Sequence, residues 1–222
     1  PPRPSSDLKL VILNTPSNPT GMIYSEMELR ELAEVIVEAG IHVLSDEIYE
    51  KLIYDGKPHV SIGSLSEEIF RHTITVNGVS KAYSMTGWRI GYTAGPEEII
   101  KAMDAVQSQE TSNPTSISQK AALAGLTGPE DFIAEMVAEY DRRRRYMVDR
   151  LNSMEGVTCL MPEGAFYAFP DVSAHYGRKY QGKAILGSVE FCDYMLQKRL
   201  IAIIPGAGFG TDKHVRSRTR PL

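Results

Sequence analysis

The chain has 222 residues, 42% of them apolar and 23% charged, with a formal net charge of −4, which suits one large or two small packed domains and excludes a disordered or collagen-like chain. An acidic balance argues against nucleic acid as a partner, because affinity for a phosphate backbone rests mainly on excess Lys and Arg. The two cysteines, Cys159 and Cys192, form neither a disulfide framework nor a paired metal spacing and point to a reducing, cytoplasmic setting.

Taken in chain order, Leu8 to Leu13 is a short apolar run rich in β-branched residues and is predicted to be a buried strand running into the loop Asn14 to Gly21. Ser25 with Glu28 three residues later makes a capping box, and Leu29, Leu32, Ala33, Ile36 and Val37 repeat at helical spacing. Ile41 to Leu44 reads as a second strand with Asp46 just past its end, Thr73 to Val76 as a third, and Arg89 to Thr93 as a fourth. Pro96 to Gln107, Ser116 to Leu126 and Pro129 to Met154 read as helices. Short strands are expected at Val157 to Leu160 and Phe166 to Phe169, a helix near Ser188 to Arg199, and a strand at Ile201 to Ile204. No apolar run approaches the roughly 18 residues of a membrane helix, and the opening PPRPSSDLKL lacks the apolar stretch of a signal peptide, so neither membrane association nor secretion is expected.

Strands alternating with helices imply an α/β fold with a mainly parallel sheet, whose ligands sit beyond the carboxyl ends of the strands. The shift to longer helices and shorter strands implies a division into residues 1–130, a large domain, and residues 131–222, a smaller α+β domain. Arg142 to Arg145 form a basic run, but Glu139 and Asp141 lie in the same predicted helix, so a solvated helix face is the simpler reading. G-A-G-F-G at Gly206 to Gly210 is expected to be a turn, since no dinucleotide-binding unit surrounds it. The five histidines show no paired ligand spacing, and no metal site is expected.

The chemistry centres on Lys81, in S-K-A-Y-S-M-T-G-W-R-I-G from Ser80 to Gly91. A lysine amine can join an aldehyde as an imine and, once displaced, act as a general base. Alone it would be a surface lysine. Its context adds Arg89, a planar fork of donors for a phosphate, and the Ser80 hydroxyl. Asp46 and Tyr49, in S-D-E-I-Y, offer a carboxylate for a ring nitrogen and a phenol for a ring oxygen. Asn18, in N-T-P-S-N-P-T-G, offers an amide held by a Pro-flanked turn, and Arg216 in H-V-R could grip a carboxylate.

Three motifs together, N-T-P-S-N-P-T-G at Asn14 to Gly21, V-L-S-D-E-I-Y at Val43 to Tyr49, and V-N-G-V-S-K-A-Y-S-M-T-G-W-R-I-G-Y at Val76 to Tyr92, resemble the class I/II, fold-type I aminotransferases, nearest to the prokaryotic-type aspartate aminotransferases. P-E-G-A-F-Y at Pro162 to Tyr167 and I-I-P-G at Ile203 to Gly206 agree more weakly. The resemblance implies a pyridoxal 5′-phosphate Schiff base on Lys81, which then moves the proton between the substrate Cα and the cofactor. It implies Asp46 on the pyridine nitrogen, Tyr49 and Asn18 on the ring oxygen, Arg89 and Ser80 on the phosphate, and Asn18 and Arg216 on the substrate α-carboxylate. A carboxylate about 4 Å from the ring nitrogen, at an effective dielectric near 20, contributes roughly 4 kcal/mol, or about three pKa units, enough to keep that nitrogen protonated at neutral pH.

Transamination, with aspartate and 2-oxoglutarate as substrates and a homodimer as the working form, is the activity the resemblance implies. An aromatic amino acid or prephenate is the next substrate reading. A β-lyase type of reaction through the same Cα carbanion is the alternative, as is an inert fragment. The resemblance runs from about Leu10 to Arg216. Family members carry a long N-terminal portion and a final helix without counterpart here, and Ser217 to Leu222 depart from the family pattern, so the chain is expected to be a fragment.

Overall fold

The computed structural model describes residues 7–219; Arg220 to Leu222, the last part of the Ser217 to Leu222 stretch, lie outside the described residues. Two compact units divide the chain. The first comprises residues up to Pro16 together with Ile23–Glu135, and the second comprises Ser17–Met22 together with the chain from Met136 onward.

The first unit is built on a four-stranded sheet. β1 (Leu10–Asn14), β2 (His42–Asp46) and β3 (Thr73–Gly78) lie side by side and parallel, and β4 (Gly91–Ala94) closes against β3 in the antiparallel sense. The predicted strands all form, with ends displaced by no more than two residues; β1 is not the buried strand expected, since Leu13 is buried but Ile12 is 70% exposed. The largest consequence is at β2, where Asp46 is the last residue of the strand rather than a residue beyond it.

α1 (Glu26–Ala39) is the crossover between β1 and β2, and its limits follow from sequence. The Ser25 side chain accepts from the Glu28 backbone N–H, while the Glu28 carboxylate accepts from the Ser25 N–H at 2.8 Å. Gly40, in the left-handed conformation, ends the helix and returns its N–H to the carbonyls of Ile36 and Val37. Between these caps the helix turns Leu29, Ala33 and Ile36 onto Leu13, Ile41, Val43, Ile62 and Ile69, forming the core of the unit. Each large side chain so buried stabilises by about 1.5–3 kcal/mol before conformational entropy is subtracted.

α2 (Glu67–Phe70) is a short turn before β3, and α3 (Glu97–Glu110) and α4 (Ser116–Thr127) follow β4. α5 (Asp131–Asn152) then leads the chain from the first unit into the second.

In the second unit, β5 (Tyr167–Ala168), β9 (Val215–Arg218) and β8 (Ile204–Pro205) form an antiparallel sheet in that order, and β6 (Lys179–Tyr180) pairs with β7 (Lys183–Ala184) in a separate hairpin. α6 (Ser188–Arg199) matches its predicted range. Its Cys192 packs with Val157, Val172 and Val215.

Three further sequence expectations require correction here. Val157 to Leu160 makes only an isolated bridge, Thr158 to Asp171, because the Asn152 side chain captures both the N–H and the carbonyl of Cys159, at 2.7 and 3.0 Å. A side chain has replaced the strand partner. Ile201 starts no strand, since its N–H is used to close α6 on the Met195 carbonyl. The basic run is not uniformly solvated: Arg144 is buried, donating to the Pro162 carbonyl at 2.6 Å and to Asp141, whereas Arg142 and Arg143 pair with Glu139. Ser217 and Arg218, within the stretch read as atypical, pair with Ala168 and Tyr167 as part of β9.

Candidate active site

In the first unit the register sets Asn14, Asp46 and Val76 level at the carboxyl edge of the parallel strands. The Asp46 carbonyl accepts from the Thr15 N–H at 3.2 Å and from the Asn14 side-chain amide at 3.1 Å. Its carboxylate accepts from the Ile48 N–H at 3.2 Å. Asp46 is therefore held at both backbone and side chain before any ligand is considered.

Two turns then deliver the amine and the phenol. After β2, the N–H of Leu52 bonds back to the Tyr49 carbonyl, and the Tyr49 side chain is 4% exposed. After β3, the N–H of Tyr83 reaches the Val79 carbonyl and that of Ser84 the Lys81 carbonyl. This turn places the Lys81 Nζ 6.0 Å from the centre of the Tyr49 ring, at the outer limit of cation–π attraction. Lys81 and Ser80 are both half-buried.

Arg89 lies on the same unit but is exposed, its Nη1 donating to the Thr86 carbonyl at 3.2 Å. Its φ of 52° lies in the left-handed region, as does that of Ser84 at 53°, a conformation that costs a non-glycine residue roughly 1–2 kcal/mol. The following Gly91 is required by close approach: a Cβ there would stand 2.9 Å from the Asn77 carbonyl oxygen. The glycine of the lysine motif thus lets β4 lie against β3.

The second unit carries the other two candidates. Arg216, on β9, donates through Nη1 to the Asn18 Oδ1 at 2.6 Å. Its guanidinium carbon lies 4.7 Å from the Tyr167 ring centre and 5.1 Å from that of Phe209. Asn18 is positioned by the turn that follows it, in which Gly21, at φ +69°, accepts from the N–H groups of Glu163 and Gly164 at 2.9 and 2.7 Å. A Cβ on Gly21 would stand 2.4 Å from the Pro162 Cβ. The N-P-T-G and P-E-G-A-F-Y motifs are therefore two sides of one contact.

Sequence reasoning missed Tyr167 and Phe209 as the rings that hold Arg216. Tyr167 closes the P-E-G-A-F-Y motif, which was its only signal. Phe209 lies in G-A-G-F-G, which forms a short 3₁₀ turn over Gly206–Phe209; a glycine count draws attention away from its one aromatic residue. Glu47 was also missed. It is 3% exposed and accepts from the Ser45 hydroxyl at 2.8 Å and the Ser61 hydroxyl at 2.7 Å, with the His59 Nε2 at 2.9 Å. Burial pushes its pKa up, and the hydrogen bonds from His59, Ser61 and Ser45 outweigh burial and hold it below the usual carboxylate value. Ligand-type atoms of Glu47, Glu50 and His59 lie within 4.8 Å of one another, a grouping that histidine spacing could not reveal.

The donor set on the first unit fits pyridoxal 5′-phosphate chemically: a primary amine for its aldehyde, a carboxylate fixed at a sheet edge for its ring nitrogen, a buried phenol beside the amine for its ring oxygen, and a guanidinium and hydroxyl for its phosphate. A lysine-centred α/β unit of this kind, continued by a smaller antiparallel α+β unit, has the architecture of the fold-type I pyridoxal-phosphate transferases. Residues 2–220 match the profile of the family described as aminotransferase class I and II. The chain is 48% identical over 209 residues to the aspartate aminotransferase of Geobacillus stearothermophilus, covering 94% of this chain and 52% of that protein. To the aspartate/prephenate aminotransferase of Cereibacter sphaeroides it is 45% identical over 210 residues, covering 94% and 52%. The crystal structure of the aspartate aminotransferase from Rhizobium meliloti superposes with a TM-score of 0.89 at 45% identity, covering 95% of this chain and 53% of that one. The chain belongs to the class I and II aminotransferase family. It spans about half the length of the curated relatives it matches.

Proposed function

We propose that this chain carries the lysine and cofactor-binding half of an aminotransferase that moves an amino group from aspartate to 2-oxoglutarate. The observation that carries the reading is the carboxyl edge of the sheet, where Lys81 lies beside Tyr49 and Asp46 is fixed by Thr15, Asn14 and Ile48, on a chain closely similar to aspartate aminotransferases.

Pyridoxal 5′-phosphate, when bound, supplies the electron sink that makes a substrate Cα–H bond acidic. The residues do the rest. The Lys81 Nζ would hold the cofactor and, once displaced by the substrate amine, move the proton at Cα. The Asp46 carboxylate would keep a proton on the ring nitrogen, and the Tyr49 hydroxyl would donate to the ring oxygen. Arg89 and Ser80 would bind the phosphate, for which the exposed Arg89 guanidinium must leave or share the Thr86 carbonyl. On the second unit, Arg216 and Asn18 would bind the substrate α-carboxylate, with Tyr167 and Phe209 fixing the plane of the guanidinium. The domain division at about residue 130, the homodimer and the cytoplasmic setting belong to the same proposal.

Product identity separates amino transfer from elimination. With aspartate as donor and 2-oxoglutarate as acceptor, oxaloacetate and glutamate should form in equal amounts; ammonia released in place of glutamate would contradict the reading. Lys81→Ala should lower turnover by at least about 10²-fold, the lower bound for a positioned general base, and near-normal turnover would refute its role.

A further inference from the structure

Asp46 stands between two residues that face the other way. Side chains alternate across a strand, so Ser45 and Glu47 share the face opposite Asp46, and both are buried, at 0% and 3% exposure. The Glu47 N–H continues the strand ladder to the Val76 carbonyl at 2.9 Å. Its carboxylate gathers Ser45 from β2 and His59 and Ser61 from the loop that follows. A buried carboxylate is tolerated only where donors surround it, and three donors on two chain segments fix it in direction as well as place. With those donors on its two oxygens, the Glu47 carboxylate is a hydrogen-bond hub more than a vacant metal ligand.

We propose that Glu47 is a positioning residue for Asp46: its bonds to Ser45, His59 and Ser61 clamp the end of β2 from behind, and thereby fix the orientation in which the Asp46 carboxylate meets its partner. The inference rests on the reading of Asp46 and Lys81 given above. It concerns orientation, so removing Glu47 should change what Asp46 does as well as how stable the unit is. The conservative Glu47→Gln keeps a carbonyl oxygen to accept from Ser45 and Ser61 and should preserve much of the clamp; Glu47→Ala removes it.

The test uses the protein loaded with pyridoxal 5′-phosphate. Its readouts are the pH midpoint of the visible absorption band that depends on Lys81, and hydrogen exchange of the Ile48 amide, which bonds the Asp46 carboxylate. Glu47→Ala should displace the midpoint by about half a pH unit or more and speed exchange at Ile48 by about tenfold, with Glu47→Gln restoring most of both. A variant that melts at lower temperature while its midpoint and Ile48 exchange stay at the parent values would show a structural role only and overturn the proposal. Should Glu47→Ala not fold, His59→Ala and Ser61→Ala each remove one donor and should shift both readouts in the same sense by less; no shift in either would equally overturn it. If the parent shows no Lys81-dependent band, the cofactor reading fails, and Ile48 exchange without cofactor decides the clamp: faster exchange in Glu47→Ala supports it and unchanged exchange refutes it.

Discussion

Arg216 shows how much a single charge depends on its surroundings. Its guanidinium lies against two rings and donates to Asn18, a set of contacts that a flexible ammonium cannot reproduce. Arg216→Lys should therefore raise KM for the amino-acid substrate by about tenfold or more while the fold stays intact, as steady-state kinetics and a melting curve would show; an unchanged KM would remove Arg216 from substrate binding. Arg216 and Asn18 drew attention because each lies in a motif, and the structure adds the hydrogen bond between them. Tyr167 and Phe209 did not, because an isolated aromatic residue has many uses, and only the pairing of β5 with β9 and the Gly206–Phe209 turn bring these two to one guanidinium. Glu47 was hidden by its neighbour: in S-D-E-I-Y the chemistry draws attention to Asp46, and nothing local marks Ser61 and His59 as its companions.

The elements whose limits are set locally were the readable ones. α1 is bounded by a capping box and a left-handed glycine, both visible as Ser25, Glu28 and Gly40. Ser25→Ala should cost about 1 kcal/mol, whereas Leu29→Ala, in the centre of the buried cluster, should cost about 2–5 kcal/mol; denaturant unfolding of the two variants would check the ratio. The unreadable elements are those set by distant side chains. Asn152 takes the backbone groups of Cys159 that a strand would have used, and a propensity argument over residues 157–160 has no access to a residue five positions earlier on a helix. Gly21 belongs with these. Its sequence reads as a turn, and the structure adds that any larger side chain meets Pro162 and the Gly164 carbonyl. Gly21→Ala should destabilise the second unit by about 1–3 kcal/mol and weaken substrate binding through Asn18.

For the molecule as a whole, charge and apolar exposure set the conditions of stability. Glu47, Asp171 and Asp212 are held below their ordinary pKa values, and Glu139 falls to about 2 through its bonds with Arg142 and Arg143. Groups depressed in the folded state contribute stability that is present above their unfolded pKa, near 4, and is lost as pH falls through the folded values. Tyr176 is raised to about 12 by burial and by Asp212, and Cys192 to about 11 by burial and by Asp193. Their contribution is present below pH 9 and is lost between there and about 12. The melting temperature should thus form a plateau across neutral pH with acid and alkaline limbs, and a flat profile down to pH 3 would contradict these assignments.

Large apolar side chains that remain well exposed, among them Ile12, Val106, Ile117, Leu160, Leu186 and Leu200 at 60% to 87%, predict that the 222-residue chain self-associates; sedimentation velocity would show species larger than the 24.6 kDa chain. Among the described residues no helix is long and apolar enough to cross a membrane.

Every role proposed for this chain depends on Lys81 being the residue to which the cofactor is joined. Borohydride reduction of the protein incubated with pyridoxal 5′-phosphate, followed by digestion and mass spectrometry, tests it directly. A phosphopyridoxyl group should appear on the peptide containing Lys81 and be absent from that peptide in Lys81→Ala; a reduced adduct confined to other lysines, or none at all, would contradict this assignment.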